Sequence, residues 1–88
     1  MQNSATENYQ LFKTEWCGFC HRVRSFLARH DIEVPLRDVN EDRDAFRELL
    51  QGSGRATVPC LRIQRGDEVE WMFESADIMQ YLAQRYGV

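Results

Sequence analysis

Two cysteines separated by two residues lie between a strand-like segment and a helix-like segment. Cys17 and Cys20 enclose a glycine and a phenylalanine. Residues 9–13 form a short aromatic and apolar run that is typical of a strand, and apolar residues recur at helical spacing over residues 18–30. The pattern therefore predicts that a strand ends before Cys17 and that a helix containing Cys20 begins directly after it.

A second strand and a second helix are predicted after this unit. The strand covers residues 33–39, and Pro35 indicates that it lies at a sheet edge or begins late. Asn40 is the predicted N-cap of the helix. Its apolar face is predicted to consist of Ala45, Phe46, Leu49 and Leu50. The two strands and the first helix predict a parallel pair with a right-handed crossover.

The last third of the chain predicts a hairpin and a third helix. Strand-like residues 60–64 and 68–73 flank a Gly-Asp turn. The helix begins near Ser75, whose hydroxyl is predicted to cap it, and ends at Gly87. Its apolar face is predicted to consist of Ile78, Met79, Leu82 and Tyr86. The order β-α-β-α-β-β-α predicts an α/β fold with a four-stranded mixed sheet flanked by three helices.

The charge of the chain and its apolar pattern argue against a nucleic-acid-binding, a membrane-spanning or a secreted protein. Residues 1–8 are polar and aperiodic, so we expect a flexible tail ahead of one domain at residues 9–88. Fourteen acidic residues against 11 basic ones give a net charge of −3, whereas nucleic-acid-binding proteins have a basic surplus. No apolar run is long enough to span a membrane, and the N-terminus lacks the pattern of a secretory signal. We therefore expect a cytoplasmic protein that binds neither nucleic acid nor membrane.

The position of the cysteine pair indicates redox chemistry. A thiol at a helix start faces unpaired backbone N–H groups and the positive end of the helix dipole, both of which favour the thiolate of Cys17. Cys20 lies one turn further on the same face, at a separation that suits a disulfide. Such a disulfide closes a very short loop and adds little stability. Its predicted use is therefore chemical, with Cys17 attacking a disulfide and Cys20 resolving the intermediate.

Other interpretations of the cysteines stay open on this pattern. A tetrahedral zinc site would need two further ligands from Cys60, His21 and His30, and no second motif with suitable spacing is present. The run from Cys17 to His21 matches the c-type haem attachment pattern, which would require export. Cys17 could bind an iron–sulfur cluster with external thiols. Finally, both cysteines of the motif could be inert.

Three separated segments resemble the glutaredoxins, of the thioredoxin-like superfamily. They are Trp16-Cys17-Gly18-Phe19-Cys20, Thr57-Val58-Pro59 and Phe73-Glu74-Ser75-Ala76-Asp77-Ile78. The third segment is more similar to the Glu-Ser of glutathione transferase N-terminal domains than to the Gly-Gly-x-Asp of glutaredoxins. The resemblance covers residues 9–88 and implies that Pro59 is cis and that glutathione is the cosubstrate.

The resemblance also implies a glutathione site around Cys17. The backbone of Val58 would pair with the extended peptide, and the start of the third helix would receive the γ-glutamyl α-carboxylate at Ser75. Glu74, or else Asp77, would take the γ-glutamyl ammonium. The implied glutathione-binding residues are Phe19, Thr57, Val58, Pro59, Glu74 and Ser75, with Lys13 and Asp77 as secondary candidates. Lys13 is one position away from the family's basic residue for the glycine carboxylate, and Arg47 and Arg55 are possible substitutes.

The implied activity is glutathione-dependent thiol–disulfide oxidoreduction, a form of thiol electron transport that serves cell redox homeostasis. The substrates would be glutathionyl mixed disulfides or protein disulfides, and the protein would be a monomer. One alternative is a [2Fe-2S] cluster carrier, in which Cys17 of two chains and two glutathiones hold the cluster in a dimer. Gly18 in place of the usual Pro favours that alternative, whereas Cys20 in place of Ser argues against it. Another alternative is a non-catalytic glutathione-binding module.

Overall fold

The computed structural model describes residues 7–88, which form four strands and three helices. The strands are Glu7–Lys13 (β1), Leu36–Asp38 (β2), Cys60–Arg65 (β3) and Glu68–Met72 (β4), and the helices are Gly18–Arg29 (α1), Arg43–Ser53 (α2) and Ser75–Tyr86 (α3). The predicted order of elements is confirmed. β1 begins two residues before the predicted domain boundary, and residues 1–6 of the predicted tail lie outside the described part. None of the described helices combines the length and the apolarity that crossing a membrane requires.

The strands form one mixed sheet in the order β2-β1-β3-β4. β1 is parallel to β2 and antiparallel to β3, and β3 and β4 form the predicted hairpin. β2 lies at the edge and begins after Pro35, as Pro35 predicted, and it is shorter than residues 33–39. Pro35 itself precedes the strand, and its carbonyl accepts a hydrogen bond from the backbone N–H of Leu11 at 2.9 Å. This arrangement of sheet and helices is thioredoxin-like.

Apolar side chains cover both faces of the sheet. Because successive residues of a strand point to opposite faces, Leu11 and Phe12 belong to different clusters. The first cluster lies under α1 and α3 and contains Leu11, Val23, Leu27, Ile32, Val34, Leu61, Ile63, Ile78 and Leu82. The second lies under α2 and contains Phe12, Ala45, Leu49 and Cys60. Full burial of each large apolar side chain contributes about 1.5–3 kcal/mol.

The N-cap of α2 differs from the prediction. Asp42 caps the helix, and its carboxylate accepts hydrogen bonds from the backbone N–H groups of Asp44 at 3.0 Å and Ala45 at 3.2 Å. Asn40 lies in the preceding turn, where its backbone N–H donates to the Asp38 carboxylate at 2.8 Å. The Asp38 carboxylate thus fixes that turn, and the helix begins two residues later than a cap at Asn40 would place it.

The N-cap of α3 also differs from the prediction. Glu74 occupies the cap position without a side-chain capping hydrogen bond, and Ser75 is the first helical residue. Gly87 ends the helix in the left-handed conformation, with φ of 68°. The start of α3 therefore has backbone N–H groups that no capping side chain satisfies.

The apolar faces of α2 and α3 are narrower than predicted. Ala45 and Leu49 are fully buried, whereas Phe46 is 42% exposed and Leu50 is 43% exposed. Tyr86, which was predicted on the buried face of α3, is 45% exposed. A single sheet face covers only one stripe of each helix, so apolar residues beside that stripe reach the surface.

A polar cluster joins the start of β1 to α3. The buried Glu7 carboxylate accepts hydrogen bonds from Tyr9 at 2.6 Å, Tyr81 at 2.7 Å and Arg65 at 2.9 Å. Arg85 completes the cluster with an ion pair at 2.8 Å. Burial alone would raise the pKa of Glu7, but these donors and cations outweigh it and lower the pKa to about 2. The cluster anchors this end of β1 to α3.

Candidate active site

Cys17 occupies the N-cap position of α1. Its Sγ accepts a hydrogen bond from the backbone N–H of Cys20 at 3.1 Å. The thiol is half-buried, and it lies 3.8 Å from the carbonyl oxygen of Val58, to which it donates. A thiolate would accept the Cys20 hydrogen bond more strongly than a thiol because the acceptor would then be charged. The predicted position of Cys17 at a helix start is confirmed, and this position favours nucleophilic chemistry.

Cys20 lies one turn further into α1 and is completely buried. Burial, together with the hydrogen bond to Cys17, raises the pKa of the Cys20 thiol to about 12. The backbone of Thr14 and the charge of Lys13 act in the opposite direction and only partly offset this shift. Cys20 is therefore a neutral thiol near neutral pH, behind a solvent-accessible partner.

Cys60 is buried in the cluster under α2, next to Pro59. Burial raises the pKa of its thiol to about 12 as well. This fully covered position is typical of a cysteine that serves as a small apolar core residue.

We expect iodoacetamide to alkylate Cys17 well ahead of the other two cysteines in the folded protein near neutral pH. Cys20 and Cys60 should react more than about tenfold more slowly, because they are buried and protonated. Peptide mapping by mass spectrometry over a time course measures the three rates. In concentrated urea the three rates should converge, which serves as the control. Equal rates in the folded protein would contradict the assigned burial.

The Val58–Pro59 peptide bond is cis, as the resemblance implied. It borders a groove of about 250 Å³. The groove is lined by Phe19, Arg55, Thr57, Val58, Pro59, Phe73, Glu74 and Ser75. All six residues of the primary predicted glutathione set are among these eight. The contact between Cys17 and Val58 places the reactive thiol at the border of the groove.

The polar groups of the groove are concentrated at the start of α3. Glu74 is exposed, and Ser75 is half-buried. The uncapped N–H groups of the helix and the positive end of its dipole suit an anion, whereas the Glu74 carboxylate suits a cation. The pair can thus bind a zwitterionic group such as an α-amino acid.

Lys13 and Asp77 do not line the groove. Lys13 is buried at 7% exposure, and its ammonium contacts Glu15 and, at 3.2 Å, Asp38. Its hydrogen bond to Glu15 is the main cause that raises the pKa of Lys13. Asp77 lines a separate surface depression beside Tyr81. Neither secondary candidate is among the residues that line the groove.

Two groove residues, Phe73 and Arg55, were not in the primary predicted glutathione set. Phe73 and Trp71 both pack against the second apolar cluster. The sequence could have indicated Phe73 as a groove residue through its alternation with Trp71 and its position directly before Glu74. Arg55 was a possible substitute that the sequence could not rank. Its guanidinium lies 4.1 Å above the centre of the Phe73 ring, a contact that joins two segments 18 positions apart.

The histidine side chains contact groups other than the two cysteine thiols. His21 contacts the carbonyl oxygen of Glu15 at 2.7 Å, and His30 packs against the Phe26 ring at 4.8 Å. Across residues 7–88, no three side chains of His, Cys, Asp or Glu are grouped so that they could hold a metal ion. The described residues therefore do not assemble the zinc site that the sequence left open.

Comparison with known proteins relates this site to two groups of proteins. A sequence model of the glutaredoxin family matches residues 10–69. Glutaredoxin 3 of Escherichia coli strain K12 is 27% identical over 56 residues, which are 64% of this chain and 68% of that protein. Prostaglandin E synthase 2 of Mus musculus is 32% identical over 72 residues, which are 82% of this chain and 18% of that protein. The chain thus spans about a fifth of the length of the mouse protein.

A solved structure shows the second relationship. Leishmania TDR1, a trimeric glutathione transferase, has a TM-score of 0.69 and 30% sequence identity. The match covers 86% of this chain and 17% of that chain. Similarity to a glutathione transferase is consistent with the Glu74-Ser75 motif.

Proposed function

This chain belongs to the glutaredoxin family, and on that premise we propose that it is a glutathione-dependent thiol–disulfide oxidoreductase with Cys17 as nucleophile. One observation carries the proposal. The half-exposed thiol of Cys17 caps α1 and lies 3.8 Å from the Val58 carbonyl, at the border of a groove that ends at the uncapped start of α3. The proposed substrates are glutathionyl mixed disulfides and protein disulfides.

In the first step, the Cys17 thiolate attacks the glutathione sulfur of a mixed disulfide. The Cys17–glutathione disulfide forms as the bond to the substrate sulfur breaks, and the substrate leaves as a thiolate that takes a proton from water. The helix start stabilises the attacking thiolate through the Cys20 N–H and the helix dipole. The substrate is reduced, and the glutathionyl group is now on the enzyme.

In the second step, the thiolate of another glutathione attacks the glutathionyl sulfur on Cys17. Glutathione disulfide leaves, and Cys17 returns to the thiolate. The alternative resolving step is an attack by Cys20 on the Cys17 sulfur, which releases glutathione and forms a Cys17–Cys20 disulfide that two further glutathiones reduce. Only a thiolate attacks, and burial, the largest cause, raises the pKa of the Cys20 thiol. The route through a second glutathione is therefore expected to be the faster one.

The groove residues supply the proposed recognition of glutathione. The extended peptide would pair with the backbone of Val58 as an added strand. The γ-glutamyl α-carboxylate would bind the start of α3 at Ser75, and its ammonium would bind Glu74. The Phe19 ring, 60% exposed beside Cys17, would cover one side of the peptide.

The test is reduction of a glutathionylated peptide, followed as release of the free peptide. We expect turnover that requires both the protein and glutathione. Cysteine at the same concentration is the matched control, because it supplies a thiol without the γ-glutamyl and glycine groups. No turnover above the uncatalysed rate, or equal turnover with cysteine, would contradict the proposal. The cytoplasmic location and the monomeric state stay predictions.

A further inference from the structure

The helix that begins at the nucleophile has a charge opposite to that of the rest of the protein. α1 contains Arg22, Arg24 and Arg29 and neither aspartate nor glutamate. These arginines contribute +3 to a chain whose net charge is −3, so the residues outside α1 together carry −6. The positive charge of the protein is thus concentrated on the element that carries Cys17 at its start.

Two of these arginines lie on one exposed side of the helix. Arg22 and Arg29 are seven residues apart, which is about two helical turns, so both project from the same side of α1. Ser25 lies between them, and all three residues are exposed. Together they form the basic face of α1. Arg24 lies beside this face, is half-buried, and pairs with Glu15 at 3.3 Å.

The guanidinium groups of the basic face are available to a partner. Within residues 7–88, neither Arg22 nor Arg29 forms an ion pair with a carboxylate. Five other arginines in the same part of the chain do form such pairs. The Arg22 guanidinium lies 5.7 Å from the centre of the Phe19 ring, which lines the proposed glutathione groove. The basic face therefore continues directly from the edge of the groove.

The substrate of the proposed reaction has to extend from the groove onto the surrounding surface. In the proposed complex glutathione lies in the groove, and its sulfur is joined to a cysteine of the substrate beside Cys17. A helix rises about 1.5 Å per residue, so Arg22 and Arg29 lie roughly 7 Å and roughly 18 Å along α1 from Cys17. An extended peptide spans about 3.3 Å per residue. A substrate segment that runs along α1 would therefore reach the two arginines about two and about five positions from its modified cysteine.

We propose that the basic face of α1 binds an acidic segment of the substrate. The protein then acts preferentially on glutathionylated proteins that have Asp or Glu about two and about five positions from the modified cysteine. Opposite charges steer the two surfaces together and form charge-assisted hydrogen bonds on contact. A short acidic segment fits the size of the face, whereas a nucleic acid or an anionic membrane would extend over the negatively charged remainder of the chain. This inference rests on the proposed function and specifies its substrate class.

The test compares two glutathionylated peptides of equal length. One has aspartates two and five positions from the modified cysteine on each side, and the other has asparagines at those positions. Release of the free peptide at a fixed glutathione concentration and low ionic strength gives kcat/KM for each. The wild type should prefer the acidic peptide about fivefold, as expected for two exposed ion pairs. The preference should shrink in about 0.5 M salt, because salt screens exposed charges.

Two double variants separate the basic face from the net charge of the protein. Arg22→Gln combined with Arg29→Gln should lower kcat/KM for the acidic peptide about fivefold, close to the value for the asparagine peptide. Arg43→Gln combined with Arg47→Gln removes the same charge from exposed residues of α2, on the opposite side of the sheet, and should retain the preference. Circular dichroism confirms that each variant is folded.

Several results would overturn this assignment while leaving the proposed function in place. They are equal kcat/KM for both peptides in the wild type, a preference that survives the loss of Arg22 and Arg29, and an equal loss of preference in both double variants. Tighter binding of single-stranded RNA or phosphatidylserine vesicles than of the acidic peptide, dependent on the same two arginines, would assign the face to that partner instead. Absence of glutathione-dependent turnover with both peptides is a separate result, and it would overturn both proposals.

Discussion

Cys17→Ser should lower glutathione-dependent deglutathionylation at least about a thousandfold, to the uncatalysed rate. A serine hydroxyl at the start of α1 cannot form the sulfur–sulfur bond on which both steps depend. Cys20→Ser should keep most of the activity, because the buried Cys20 thiol stays protonated and a second glutathione can resolve the intermediate. Initial rates at saturating glutathione measure the effect.

Cys60→Ala is the matched control for loss of a thiol. Cys60 is fully buried in the cluster under α2, so its removal should change stability more than activity. More than a tenth of wild-type activity in Cys17→Ser would overturn the assignment of the nucleophile. Loss of activity in both Cys17→Ser and Cys20→Ser would show instead that turnover proceeds through the intramolecular disulfide.

Glu7→Gln should lower the free energy of unfolding by about 3 kcal/mol near neutral pH, because it leaves Arg65 and Arg85 without their buried carboxylate. The effect should depend on pH. The pKa of Glu7 is lowered to about 2 in the folded protein, whereas an unfolded Glu titrates near ~4.3. The stabilisation from Glu7 is therefore fully present above the unfolded pKa and is lost as pH falls toward the folded one.

Urea unfolding of the wild type and Glu7→Gln at neutral pH and at successively lower pH measures this dependence. The difference in unfolding free energy between them should shrink as pH falls below ~4. Glu68→Gln is the control, because Glu68 is an exposed residue at the start of β4. A difference that is constant with pH would contradict the assignment of this stabilisation to the ionised Glu7 carboxylate.

Local patterns were sufficient to predict the order of the elements and the position of the nucleophile. Apolar residues at helical spacing after residue 18 predicted that Cys17 lies at a helix start. The structure confirms this position, with Cys17 as the N-cap of α1. Pro35 predicted an edge strand because proline cannot donate to a neighbouring strand. Each of these predictions depends on residues close together in the chain.

The features that the sequence could not predict depended on partners distant in the chain or on competition between neighbours. Lys13 lies directly opposite Asp38 in the β1–β2 register, and the resulting ion pair keeps it out of the groove. Asn40 and Asp42 can both cap a helix. The Asp38 carboxylate accepts the backbone N–H of Asn40 and holds that residue in the preceding turn, so Asp42 becomes the cap. Arg55 enters the groove through its contact with Phe73. None of these contacts can be read from spacing alone.

Mass spectrometry of Cys20→Ser after incubation with glutathione disulfide tests the role of Cys17 most directly. This variant cannot resolve the intermediate internally, so the glutathionyl group should stay on the protein. The prediction is one glutathionyl adduct per chain, mapped to Cys17 and removed by added glutathione. An unmodified protein, or an adduct on Cys60 with Cys17 free, would contradict the assignment of Cys17 as the nucleophile of a glutathione-dependent oxidoreductase.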